Sequence, residues 1–289
     1  MALPITAFTE RFAPLAFGYD VVLSDVWGVV HNSIVSFPEA CEALQRYRAG
    51  GGTVIMITNA PRPGDEVIRF ITRLGVPTDA YDGIVSSGDV TRAYVAEHLD
   101  QAILRIGPER DLPLYQGLEV RFAPVETADY AVCSGLFDDE TETAEDYRPL
   151  LGRMRARNLF MVCANPDVVV ERGERLVYCA GAIADLYQSL GGDVLYAGKP
   201  HRPLYDRALA LAAAIRGQPA PLQRVLAIGD SVRTDLAGAA ALGVDCLFVT
   251  AGIHAEEFGG RDEPDLAAVG RKLTAAGLMP RAVMHRLRW

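Results

Sequence analysis

Short apolar runs rich in β-branched residues alternate with helical patterns along the whole chain, and this alternation limits the fold more than any other feature. The runs "YDVVLS" (19–24), "TVIMIT" (53–58), "DVLYA" (193–197), "VLAIG" (225–229) and "VDCLFVT" (244–250) read as strands of one core. Residues 38–49 start at a proline and stop at Gly50-Gly51-Gly52, the usual asymmetry of helix ends. Residues 203–215 again start at a proline and are rich in alanine and leucine. A second set, 102–106, 130–133 and 159–164 with a helical stretch at 144–157, suffices for a smaller α/β unit. The expected fold is therefore a doubly wound parallel-sheet (Rossmann-like) α/β core of residues 1–83 and 193–289, with an inserted α/β cap at 84–192.

Bulk composition narrows the function. With 289 residues, 50% of them hydrophobic, the chain can bury a sizeable core. Its net charge of −9 argues against a nucleic-acid partner, which calls for a basic face. A phosphorylated ligand stays open, because a local cation and a lysine can reverse the field of an acidic protein. Five scattered cysteines without metal-ligand spacing read as reduced thiols of a cytoplasmic protein. The N-terminal stretch lacks the pattern of a signal peptide, and no apolar run is long enough to span a membrane. A homodimer is left open. The tail "PRAVMHRLRW" reads as a solvated end or a helix docked by Trp289.

In open parallel sheets, ligands bind outside the carboxyl ends of the strands. The residues that follow the predicted core strands are Asp25; Thr58 with Asn59; Lys199 in "AGKPHRP"; and Asp230 with Asp235 in "IGDSVRTD". Carboxylates, a hydroxyl and a lysine at one edge suit Mg²⁺ and a phosphoryl group.

In that order and spacing the four motifs resemble those of the haloacid dehalogenase superfamily. "ITNAPRP", "IVSSGDV", "CANPDVVV", "AGKPHRPLYDRAL" and "IGDSVRTDLAGA" look like its class IIA branch of sugar-phosphate, 4-nitrophenyl-phosphate and pyridoxal-phosphate phosphatases. The resemblance implies a hydrolase in which Asp25 attacks phosphorus and forms an aspartyl-phosphate. It implies Mg²⁺ held by Asp25, Asp230 and the backbone carbonyl of Trp27, with Asp235 orienting Lys199 or a water on the metal. Lys199 and Thr58 would bind the phosphoryl oxygens, Asn59 would add to them, and the loop of Asn165 and Asp167 would face the substrate. By residue type alone, Asn165-Pro166-Asp167 is a turn. The expected substrate is a small phosphorylated metabolite, a sugar phosphate by default.

One position departs from the pattern. Phosphatases of this superfamily place a second aspartate two residues after the nucleophile, as general acid and base; here Trp27 stands there. Indole is a donor that does not titrate usefully, so acid–base help typically contributing ~10²–10⁴ in rate is missing. Three readings follow. The first is a phosphatase for good leaving groups such as acyl or aryl phosphates, or one that recruits His31 as its proton carrier. The second is a dehalogenase-type hydrolase, and the third a non-catalytic phospho-ligand binder.

Overall fold

Strand β1 (Val21–Asp25) is buried along its whole length and runs parallel to a neighbour on either side. That is the setting in which a continuous apolar run, rather than an alternating one, is required. The structure, a computed structural model, describes residues 7–172, 175–260 and 263–289. After β1 come β2 (Thr53–Thr58) and β3 (Gly83–Ser86), then β4 (Ala102–Ile106), β5 (Arg121–Phe122), β6 (Tyr130–Cys133) and β7 (Phe160–Cys163). A hairpin of β8 (Val169–Arg172) and β9 (Arg175–Tyr178) precedes β10 (Val194–Tyr196), and β11 (Val225–Gly229), β12 (Asp245–Val249) and β13 (Ala282–Met284) complete the chain. The expected α/β class with parallel, Rossmann-like sheets is what is observed.

The first of two compact units contains residues up to Thr58, Ile68–Val85 and Tyr205–Trp289. Its six-stranded sheet has the order β13-β12-β11-β1-β2-β3. Register places Asp25 beside Ile57, one residue before Thr58, and Ser24 beside Ile228, two residues before Asp230. Three polar side chains thus leave the sheet at the same carboxyl edge. The helix Pro38–Ala49 starts on its proline, carries Arg46 and Arg48 in its last turn against the helix dipole, and gives way to Gly51 at φ 91°. The tail differs from expectation: it forms the edge strand β13, and Trp289 packs edge-on against buried Phe12 at 5.9 Å. β3 and β13 are only four and three residues long, too short to show a periodicity.

The second unit contains Asn59–Val67 and Ser86–Leu204. Its parallel sheet has the order β10-β7-β6-β4-β5. Along β6 the residues alternate between two cores: Ala131 and Cys133 pack with Met161, Ile183 and Tyr187, while Tyr130 and Val132 pack with Ile103 and Val162. The helix Ser87–Ala96 opens with a capping box in which Ser86 accepts from Asp89 N–H at 3.0 Å and Asp89 accepts from Ser86 N–H at 2.9 Å. β10, expected in the core, pairs instead with β7, Val194 opposite Met161. This unit thus runs on to Leu204 and takes in residues 59–67, where the expected cap spans 84–192. A short apolar run shows that a strand exists, not which of two parallel sheets it joins.

All five cysteines are buried. Burial pushes the Cys133 thiol up to about 12, which removes any nucleophilic role near neutral pH. Among the described residues no helix is long and apolar enough to cross a membrane.

Candidate active site

Asp25 is the last residue of β1, and Asp230 follows β11 directly. A single turn of π-helix, Val232–Leu236, then swings Asp235 back towards them. In that wide turn the N–H groups of Asp235 and Leu236 both reach Ser231 C=O at 3.1 Å, while Asp235 accepts from Ser231 N–H at 3.1 Å. Turns of this kind often mark functional sites. The outcome is one cluster: Asp25, Asp230 and Asp235 are buried, and one carboxylate oxygen of each lies within 4.8 Å of the others.

Backbone glycines make room for the cluster. Gly28, at φ 81°, lies so close to Asp230 that a Cβ would sit 2.1 Å from its carboxylate oxygen. A Cβ on Gly252 would come within 1.8 Å of the same carboxylate, and one on Gly229 within 2.1 Å of the Asp235 carboxyl carbon. N–H donors aim inward as well. Val26 N–H reaches Asp25 Oδ1 at 2.7 Å, and Ile253 N–H reaches Asp230 Oδ2 at 2.7 Å. Sequence reading missed Gly28, Gly252 and Ile253, whose contribution is a backbone close enough to hold a carboxylate. The available signal was the glycine three residues past Asp25 and the "TAG" that follows β12.

Three like charges this close repel strongly in a buried setting. An all-oxygen donor set relieves that repulsion by holding a hard divalent cation, so these residues fit Mg²⁺ or Ca²⁺ well and a soft metal poorly.

The other expected site residues divide into two groups. Thr58, buried at the end of β2, stands at the carboxyl edge of the first unit. In the second unit, Asn59, Asn165, Asp167 and Lys199 come together. Asn59 Oδ1 accepts from Lys199 N–H at 2.7 Å, and its Nδ2 donates to Lys199 C=O at 3.1 Å and to Asp167 Oδ1 at 2.9 Å. Asn165 Oδ1 accepts from Asp167 N–H at 3.1 Å, the turn its sequence suggests. Asn59 was expected on the substrate; its amide is instead committed to the Lys199 backbone and Asp167. Gly198 is required there, since a Cβ would lie 2.4 Å from Asn59 Oδ1.

Trp27 and His31 occupy one tightly bonded loop. The Trp27 indole N–H donates to Ser33 Oγ at 3.0 Å, and Ser33 N–H donates to His31 Nδ1 at 2.9 Å. Ser33 adopts φ 72°, a conformation unusual for a side-chain-bearing residue. His31 lies edge-on to Phe70 at 5.7 Å, and burial lowers its pKa to about 4. A ring held neutral, with Nδ1 occupied as an acceptor, does not suit the proton-carrier role considered for it. It has a stability consequence instead. The unfolded chain takes up a proton near pH 6.5 and the fold near 4, so stability is full above 6.5 and falls as the pH drops between the two values. By linkage the loss approaches about 3 kcal/mol. Urea unfolding at pH 7 and pH 4.5 should show His31→Asn losing clearly less stability on acidification than the parent protein.

Comparison with known proteins gives the family. A family model described as haloacid dehalogenase-like hydrolase matches residues 22–121, and a second HAD-hydrolase-like model matches residues 196–276. The crystal structure of a haloacid dehalogenase-like hydrolase from Brucella suis 1330 is 48% identical, covering 97% of this chain and 100% of that one with a TM-score of 0.85. The chain belongs to the haloacid dehalogenase-like hydrolases. More distant likenesses include a p-nitrophenyl phosphatase from Archaeoglobus fulgidus, 20% identical over 92% of this chain and 95% of that one, TM-score 0.71. D-glycerol 3-phosphate phosphatase of Mycobacterium tuberculosis is 27% identical over 83% of this chain, which spans 65% of that relative's length.

Proposed function

We propose that the chain is a divalent-cation-dependent phosphatase that cleaves small phosphorylated metabolites through an aspartyl-phosphate on Asp25. The observation that carries this reading is the buried trio of Asp25, Asp230 and Asp235, with oxygens within 4.8 Å of one another. Mg²⁺ held by Asp25, Asp230 and the backbone carbonyl of Trp27, with Asp235 beside them to orient a water on the metal, would supply positive charge against the phosphoryl oxygens. Asp25 makes the bond: one carboxylate oxygen attacks phosphorus, the ester P–O bond breaks, and the leaving oxygen departs with the electron pair. Val26 N–H holds Asp25 Oδ1 at 2.7 Å, which fixes the carboxylate so that its other oxygen can attack. Water then cleaves the acyl phosphate, releasing phosphate and restoring the carboxylate. The parts assigned to Thr58 and Lys199, binding and neutralising the phosphoryl group, rest on the order of the motifs in the sequence.

Trp27 narrows the substrate range. Its indole N–H is engaged by Ser33, and it offers no proton to a departing alkoxide. Acyl and aryl phosphates, which leave as stable anions, are therefore favoured over glycerol or sugar phosphates. The test is phosphate release from acetyl phosphate, 4-nitrophenyl phosphate, glycerol 3-phosphate and glucose 6-phosphate, with Mg²⁺ or with a chelator. Turnover of the first two that the chelator removes and Asp25→Asn abolishes is expected. No release from any of the four above the Asp25→Asn blank would overturn the reading. Metal-independent halide release from a 2-haloacid would favour the dehalogenase alternative, which the acidic trio weighs against.

A further inference from the structure

The stretch Gly252-Ile253-His254 grips the acidic site at two points. Gly252 presses its backbone against Asp230, and Ile253 N–H donates to Asp230 Oδ2 at 2.7 Å. The next residue reaches the wide turn between Asp230 and Asp235: His254 Nε2 accepts from Val232 N–H at 3.4 Å. That bond requires an unprotonated Nε2, and burial lowers the His254 pKa accordingly. The tautomer is fixed from the other side, because Nδ1 lies 2.8 Å from Glu257 Oε1 and so carries the proton. Glu257 is held in turn, its Oε2 taking Lys272 Nζ at 2.6 Å from the helix Leu266–Ala276. Lys272 is one of two lysines in the chain.

We infer that His254 is a positioning residue for the acidic site, and that Lys272 and Glu257 are its supports. The proposed function has no part for these three residues, yet they form one line of hydrogen bonds from an outer helix to the turn that sets the spacing of Asp230 and Asp235. A π-turn is intrinsically less favourable than an α-turn, and the bonds within it leave Val232 N–H to an outside acceptor. Imidazole supplies that acceptor while Ile253, one residue earlier, holds Asp230. Removing the ring frees the turn to relax towards an α-helical turn and moves Asp235 away from Asp230. Outer groups that orient metal ligands commonly carry 10–100-fold in metal affinity.

The inference rests on the acidic trio being a metal site, so the measurement reads metal binding directly. Mn²⁺ is titrated into the substrate-free full chain and followed by electron paramagnetic resonance. The parent protein and Asp230→Asn establish whether the trio binds the ion at all; equal Mn²⁺ binding by these two would overturn the metal reading and this inference with it. Where they differ, His254→Leu, of similar volume, should weaken Mn²⁺ binding by about 10–100-fold. Its KM for acetyl phosphate at saturating metal should stay unchanged, a split between metal and substrate binding that a merely structural role would not give. Glu257→Gln and Lys272→Met, at side chains 52% and 35% exposed, should weaken it less and in that order. They decide the matter where His254→Leu fails to fold. Parental Mn²⁺ affinity in a folded His254→Leu, or in both outer variants where it does not fold, would contradict the inference.

Discussion

Trp27→Asp is expected to raise the hydrolysis of glycerol and sugar phosphates by roughly 10²–10⁴-fold, the range that one well-placed general acid contributes. This corresponds to about 3–5 kcal/mol of barrier. Acetyl phosphate should gain much less in kcat/KM, which reports the step that expels a leaving group needing no proton; its kcat, set by hydrolysis of the intermediate, should rise. The substitution is spatially mild: position 27 lies in the turn between Asp25 and Gly28, and the indole makes its hydrogen bond to an exposed loop serine. Steady-state kinetics of parent and variant on an alkyl and an acyl phosphate provide the check. An equal gain in kcat/KM on both substrates would mean that Trp27 does not act on the leaving group, and the leaving-group account would fail.

Asp25→Asn should abolish turnover while stabilising the metal-free protein. The first effect follows because an amide is no nucleophile towards phosphorus. The second follows from the trio itself: three buried carboxylates within 4.8 Å repel one another when no cation lies among them. Neutralising one relieves that repulsion, and each kcal/mol relieved raises the unfolding temperature by roughly 2–4 °C in a chain of about this size. Adding Mg²⁺ should reverse the ranking, since the ion stabilises the folded parent by mass action and the variant binds it less well. Thermal unfolding of both proteins, with chelator and with Mg²⁺, measures this. A variant less stable than its parent in chelator would show that the carboxylates are held by hydrogen bonds strong enough to outweigh their repulsion.

How much of this was legible in the sequence depends on what each residue contributes. β1, β2 and β11 were readable because a strand buried on both faces needs an unbroken apolar run, and VVLSD, TVIMIT and VLAIG supply one. β10 was readable as a strand but not as a member of the second sheet, because Val194-Leu195-Tyr196 would fit either. The hairpin of β8 and β9 had a signal that went unread, the two β-rich runs VVV and LVY on either side of a short polar stretch containing Gly173. Asp25 and Asp230 stood out because ligands bind at the carboxyl ends of parallel strands, and Asp235 because it shares the "GDSVRTD" motif with Asp230. Gly28 and Gly252 did not, because the lack of a Cβ matters only where another chain segment approaches. His254 was equally silent: its bonds to Val232, 22 residues away, and through Glu257 to Lys272 exist only once the fold has formed.

The central claim is a covalent phosphoryl group on Asp25, and it can be trapped. A site without a general base is slow to activate the water that clears the intermediate, so Trp27 should make the aspartyl-phosphate accumulate. The protein is mixed with acetyl phosphate and Mg²⁺, quenched in acid within the first turnovers, digested and mapped by mass spectrometry. The account predicts one phosphoryl group on the peptide containing Asp25, absent when chelator replaces Mg²⁺ and greatly reduced in Trp27→Asp. Phosphate release with Asp25 unlabelled at every quench time, or with the label on another residue, would contradict it.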